Sequence, residues 1–238
     1  MSAAANRSYH FLCDRAGTAL VEFAWALPFL LLALLGVYNL SQAANAERQL
    51  SRLSDGIATQ LVTNGVVGAP SYQVNYTDLH YANDSAMLEF PLVLSDSYAK
   101  NESWAADISI SMAGLSFSPT VVGCTSACTY VAKVVWTAGN KARACGSAQV
   151  SVPDGAPPSP STLPQDLFDP VPTPTTGVFS PPNFQIVVDI VYSWRPQFGN
   201  SFIPPITFKR STYLSPRYVS QITYSQIAGD DGFGVPCP

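Results

Sequence analysis

The chain has 238 residues, of which 47% are hydrophobic and only 12% charged, with a formal net charge of −4. Apart from the adjacent Lys209-Arg210, its 12 basic residues are scattered singly and offer no footprint for phosphates, so nucleic acid is not an expected partner. A single long apolar run near the N-terminus excludes a multi-span transporter, and the chain beyond that run has room for one sizeable domain.

Residues 1–17 carry Arg7, Arg15 and one acid, Asp14, a mildly basic flank of the kind found on the cytoplasmic side of a span. Cys13 lies in this leader, ahead of the apolar run, where it does not fit a lipidation site. From Thr18 to Leu40 there are 23 residues with one formal charge, Glu22. A helix of that length covers about 34 Å at about 1.5 Å per residue, which matches a bilayer core of about 30 Å. The acid is the odd feature. Inside a membrane it costs roughly 2.5 to 3.5 kcal/mol on insertion scales, and such residues are usually functional. The competing explanation is that Glu22, near one end of the span, snorkels to the headgroups.

A secretory signal peptide is the alternative for the whole stretch, because Ala44-Asn45-Ala46 has the small-x-small form of a cleavage site. The apolar region is longer than a signal core of about 7 to 15 residues, and signal cores avoid acids.

From Ser41 to Thr63 the pattern becomes amphipathic, with Leu50, Leu53, Ile57 and Leu61 in one stripe and Glu47, Arg48, Arg52 and Asp55 between them. One helix is therefore expected to run on from the span, with Pro28 as a kink and Asn64-Gly65 as the stop. With only about two heptads present, the stripe is expected to pack on the chain's own domain and not on a coiled-coil partner.

Gly17, the four residues Thr18-Ala19-Leu20-Val21, Glu22-Phe23, and then Pro28 and Gly36 in the apolar run resemble the N-terminus of TadE-like proteins. These are pilin-like subunits of the bacterial tight-adherence (Flp) pilus system. The resemblance implies that a prepilin peptidase cuts between Gly17 and Thr18, removing Cys13 with the leader and leaving Glu22 as the fifth residue of the mature chain. The new Thr18 amine and Glu22 would share a helix face, and Glu22 would neutralise its own amine or that of a neighbouring subunit. A glycine before the cut leaves the protease room to approach.

The remaining cysteines, Cys124, Cys128, Cys145 and Cys237, all lie beyond the span and are even in number, which suits two disulfides in an exported domain. A metal site is the weaker alternative, since Cys-x3-Cys lacks the usual Cys-x2-Cys spacing. Three connectivities are open. Cys124 with Cys128 would pin a hairpin, leaving Cys145 for Cys237.

Within residues 71–97, Thr77-Asp78 is expected to begin a short helix that Pro91 ends. Asp107–Phe117 alternates as a strand, with Thr129–Thr137 as its partner. Residues 153–182 hold 10 of the 20 prolines and read as an extended surface loop, with a proline-rich recognition ligand as the functional alternative. Phe184–Trp194 is the strongest strand, with Ile186, Val188, Ile190, Tyr192 and Trp194 on one face and a partly apolar second face, as a central strand requires. Ile206–Tyr213 is its expected neighbour. Lys209-Arg210-Ser211-Thr212-Tyr213-Leu214-Ser215-Pro216-Arg217 resembles the basic-Ser to Pro-Arg segment that closes the TadE-like domain.

No nucleophile elbow, zinc-binding His-Glu-x-x-His or phosphate loop occurs in the sequence, so an enzyme is not expected. Asp230-Asp231-Gly232 lacks the spaced oxygen ligands of a calcium loop and reads as a turn. The expectation is an α+β chain with a long pilin-like helix, transmembrane and then amphipathic, followed by a β-rich, disulfide-bearing globular domain. It divides into a cytoplasmic leader at 1–17, a transmembrane helix at 18–40, its amphipathic continuation at 41–65 and an exported domain at 66–238. The resemblance implies a single-pass protein of the bacterial inner membrane, with its C-terminal domain periplasmic or extracellular. Its implied partners are the prepilin peptidase, other pilin subunits and the pilus assembly machinery, with no cofactor or metal. The alternative is a signal-peptide-bearing or membrane-anchored extracytoplasmic β-rich binding protein.

Overall fold

The computed structural model describes residues 15–124, 128–140, 142–169, 171–172, 179–180, 184–199 and 203–238. Residues 1–14 of the leader, Cys13 among them, lie outside the described residues. The chain divides into two compact units, one of Met1–Asn45 with Arg195–Pro204, the other of Ala46–Trp194 with Pro205–Pro238.

Helix α1 (Arg15–Val62) is a single element of 48 residues with Pro28 inside it. Proline has no amide hydrogen, so the Ala24 carbonyl four residues back loses its helical partner there. The helix stops where the Thr63 hydroxyl turns back to the Thr59 carbonyl at 2.8 Å, and Gly65 then takes a φ of 120°. The carbonyl of Val62 accepts from the Arg217 amide at 3.1 Å, so the segment ending at Arg217 closes on the end of this helix.

After β1 (Ser71–Val74) come three short helices, α2 (Tyr76–Asp84), α3 (Ala86–Glu89) and α4 (Leu92–Lys100), where the sequence suggested one ending at Pro91. Asn75 starts α2 with a full capping box: its Oδ1 accepts from the amides of Thr77 and Asp78, and Asp78 accepts from the Asn75 amide. Pro91 does not terminate helical structure. It is the N-cap of α4 at φ −62°, a position where no helical amide is needed and the fixed ring angle suits the first turn.

The main sheet has β2 (Ile108–Pro119) at its centre, paired antiparallel with β3 (Tyr130–Gly139) on one side. Then come β4 (Val150–Val152), β5 (Thr162–Pro164), a 3-10 turn at Gln165–Phe168, β6 (Val171–Pro172) and β7 (Phe179–Ser180). Strand β8 (Gln185–Trp194) lies between β2 and β9 (Ile206–Leu214), antiparallel to both, as its two-sided apolar pattern requires. Strand β10 (Gln221–Tyr224) pairs in parallel with β1, and β11 (Gly234–Pro236) completes the order β11-β3-β2-β8-β9. The fold class is α+β, a long apolar N-terminal helix followed by a β-rich domain with two disulfides.

Both faces of the sheet are covered. Arg210 and Thr212 stand opposite Ile190 and Val188 in register, and they bond to Ser51, Ser54 and Asp55 of α1. Cross-strand partners share a face, so the side bearing Val188 and Ile190 lies under the helix. The leucine stripe packs there: Leu50, Leu53, Ile57 and Leu61 are each at most 1% exposed. Phe90 meets Tyr192 edge to face at 4.9 Å on the same side.

The opposite face is roofed by residues 153–169 of the proline-rich segment, which are more than a surface loop. Leu163 is fully buried in a cluster with Ala113, Leu115, Ala132, Val134 and Val187, flanked by Leu167 and Phe168. Prolines cannot supply ladder amides, but the chain between them still sends apolar side chains inward.

Candidate functional site

Among the described residues, the N-terminal half of α1 is left uncovered by the rest of the chain. All residues from Leu20 to Leu34 are exposed, Trp25 at 73% and Leu32 at 67%. A soluble monomer does not leave so large a contiguous apolar surface to water, so this helix is built for an apolar surrounding. It is long and apolar enough to cross a membrane. Glu22 is the one charged residue on it between Leu20 and Leu40, and it is exposed.

Gly17 and Thr18 both have helical backbone, and Glu22 lies one turn beyond Thr18 on the same helix. The expected cut between Gly17 and Thr18 would therefore fall within helical backbone. Pro28 lies between this segment and the amphipathic half.

The four cysteines form two disulfides, Cys124–Cys128 across 4 residues and Cys145–Cys237 across 92. The first closes the connection between β2 and β3. The second ties the C-terminal tail beside β3, where the Cys237 amide also donates to the Val135 carbonyl at 2.8 Å. Thiols joined in pairs are not metal ligands, and among the described residues no group of three or more His, Cys, Asp or Glu side chains could hold a metal ion.

Asp230 and Asp231 form a turn. Asp230 accepts from the Gly232 amide at 2.9 Å, and Asp231 accepts from the Phe233 amide at 3.0 Å. The other oxygen of Asp231 meets His80 Nε2 at 2.8 Å, and the His80 ring stacks on Phe233 at 4.3 Å. The Phe233 amide first, and then His80, hold the Asp231 carboxyl below its ordinary range.

Two arrangements were not legible in the sequence. Arg143 is 1% exposed and bonded on every side, to both oxygens of Asp189, to Gln149 and to the Thr162 carbonyl. Beside it, Ser109, Ser111, Asp189, Lys209 and Ser211 line a cavity of about 190 Å³ roofed by Pro158 to Pro160. Arg143 already neutralises Asp189 there. The other is the segment from Arg195, which meets α1 at Tyr38 and Asn39. An isolated arginine in Lys141-Ala-Arg143-Ala-Cys145 and a Gly-Pro-rich turn after a strand carry no periodic signal that would have announced either.

No family model, no curated protein and no solved structure matches this chain.

Proposed function

We propose that this chain is a pilin-like minor subunit of a bacterial tight-adherence (Flp) pilus, acting in assembly, initiation or at the tip. The observation that carries the reading is the division of α1. One half, Leu20 to Leu34, is wholly exposed, apolar and bears a single acid, while the other buries its stripe against the chain's own sheet. A helix of that kind can pass from a bilayer into a bundle of like helices without exposing its apolar surface to water.

In this reading Thr18 becomes the new N-terminus, and Glu22 pairs with the amine of its own or a neighbouring subunit to set axial register. In an apolar bundle an unpaired acid is costly, so only registers that give Glu22 a cation are favoured. The disulfide-bearing domain gives this subunit far more bulk than a pilin that is little more than a helix, which suits a minor role. The protein is held in the inner membrane, N-terminus cytoplasmic, before it is incorporated.

The test is the N-terminal residue of the mature protein by mass spectrometry. Thr18 is expected, and Gly17→Leu should leave the precursor uncut. A mature chain beginning at Glu47 would identify a signal peptide, and an intact leader a permanent anchor. Either result would overturn the processing step. Glu22→Gln should insert in the membrane normally yet fail to support pili, and normal pili from that variant would make the acid incidental.

A further inference from the structure

We propose that the described part of the β8–β9 connection, residues 195–199 and 203–204, is a membrane-interface foot, which seats Phe198 and Ile203 at the boundary between headgroups and acyl chains where α1 leaves the bilayer. The inference rests on the reading of α1 as a membrane span and adds a second point of lipid contact, far from it in sequence.

The connection is fixed to the helix by three contacts. The Tyr38 hydroxyl donates to Gln197 Oε1 at 3.1 Å, Asn39 Nδ2 donates to the Phe198 carbonyl at 2.8 Å, and the rings of Tyr38 and Phe198 meet edge to face at 5.7 Å. The turn has its own geometry. Gly199 takes a φ of 78°, its carbonyl accepts from the Ile203 amide at 2.8 Å, and the Ile203 side chain lies over it. Gln197 and Phe198 are therefore held at a definite level on α1.

That level is set by helix geometry. Tyr38 is 18 residues beyond Leu20, about 27 Å along the axis, close to the thickness of a hydrocarbon core of about 30 Å. Tyr38 thus lies at the outer end of the span, where the amphipathic ring of a tyrosine is favoured, and Phe198 packs against it there. Phe198 remains 47% exposed and Ile203 41%, so both have apolar surface to place. Arg195 is exposed on the same segment, and residues 195–199 and 203–204 contain no acid. A cation with neighbouring apolar side chains fits the phosphates and upper acyl chains of a phospholipid leaflet.

The experiment uses the full chain with Cys13→Ser, its disulfides intact, in vesicles of phosphatidylethanolamine and phosphatidylglycerol. A nitroxide is attached at one introduced cysteine: Phe198→Cys, Ile203→Cys, Leu30→Cys within the span, or Val122→Cys, whose native side chain is 98% exposed. Collision with oxygen, which concentrates in lipid, is compared with collision with a water-soluble nickel chelate. The oxygen-to-nickel ratio should be highest at 30, several-fold lower but still well above the aqueous site at 198 and 203, and lowest at 122. Ratios at 198 and 203 equal to that at 122, with 30 still in lipid, would overturn the foot while leaving the span intact. Exclusion of both reagents at 198 and 203 would also overturn it, placing the turn against a second protein. A nickel-accessible label at 30 would overturn the span and the foot together. Two separate sites in the turn guard against one label disturbing it.

Discussion

Asp189 grips Arg143 through both carboxylate oxygens, with Nε 2.8 Å from Oδ2 and Nη2 3.0 Å from Oδ1. The arginine side chain is 0% exposed and the aspartate 12%, so neither charge is screened by much water. Asp189 belongs to β8, while the Thr162 carbonyl, which shares the guanidinium with Gln149, belongs to the proline-rich segment that roofs the sheet. The pair therefore joins the roof to the sheet, and Ser211 holds the carboxylate from the β9 side. Removing one member strands the other: Arg143→Met or Asp189→Asn should each cost about 3–5 kcal/mol in chemical denaturation. The double variant Arg143→Met with Asp189→Leu should lose much less than the sum of its singles. Strict additivity would show that the two charges are not coupled.

The two disulfides differ in the length of chain they close, and this orders their effects. By loop entropy a link across 92 residues is worth about 4–5 kcal/mol and one across 4 residues about 2 kcal/mol, as upper figures. Replacing Cys145 and Cys237 with serine should therefore lower the urea midpoint more than replacing Cys124 and Cys128. The reverse order would mean that the short loop has a role beyond restricting the unfolded chain.

Leu163 tests what the proline-rich run does. It lies among prolines in a stretch that reads as loop, yet it is fully buried beside Leu115 and Val134. Leu163→Ala should cost about 2–5 kcal/mol, as for a core leucine elsewhere, and an effect below about 1 kcal/mol would return the segment to a peripheral role. The contrast with β8 explains what was legible. Ile186 to Trp194 announce themselves because strand periodicity repeats over several residues, and the stripe from Leu50 to Leu61 does the same at helical spacing. Leu163 is one inward side chain between irregular turns, and α4 was hidden because Pro91 reads equally as a stop or a start. Arg143 and its partner Asp189 are 46 residues apart, and no local pattern signals such a contact. The helix half around Glu22 was legible by composition alone, since its apolar run holds a single charge. The contact of Phe198 with Tyr38 was not, because only the β8–β9 connection brings it back to the helix.

Lys100 predicts an alkaline response. It sits 2.7 Å from Asp96 and is also paired with Asp107, all three side chains being 18–20% exposed. Burial pulls its pKa down, but the bonds to Asp107 and Asp96 outweigh it, and the net displacement is upward. The folded protein thus holds this proton more tightly than the unfolded chain, whose lysine titrates near about 10.4. The stabilisation is fully present below that pH and is lost as pH rises through the higher folded value. The stability gap between the native protein and Lys100→Met should be constant from pH 6 to about 9.5 and narrow above about 10.5. A gap that widens with alkalinity would reverse the sign of the coupling.

Gly139 and Gly155 separate two costs of a side chain. Both have positive φ, 91° and 82°, where an L-residue is strained by about 1–2 kcal/mol. At Gly155 an added Cβ meets nothing within 4 Å, so Gly155→Ala should show that backbone cost alone. At Gly139, where β3 ends and its amide bonds to the Phe233 carbonyl at 3.1 Å, the same Cβ runs into the Ile110 carbonyl and lies 3.1 Å from Ser111 Cα. These are backbone atoms of the central strand, and they cannot swing aside as a flexible side chain would. Gly139→Ala should therefore cost at least about 2 kcal/mol more than Gly155→Ala by thermal or urea unfolding. Equal losses at the two positions would mean that β2 and β3 yield at this end, and that the register of Ser111 opposite Gly139 is not fixed by their close approach.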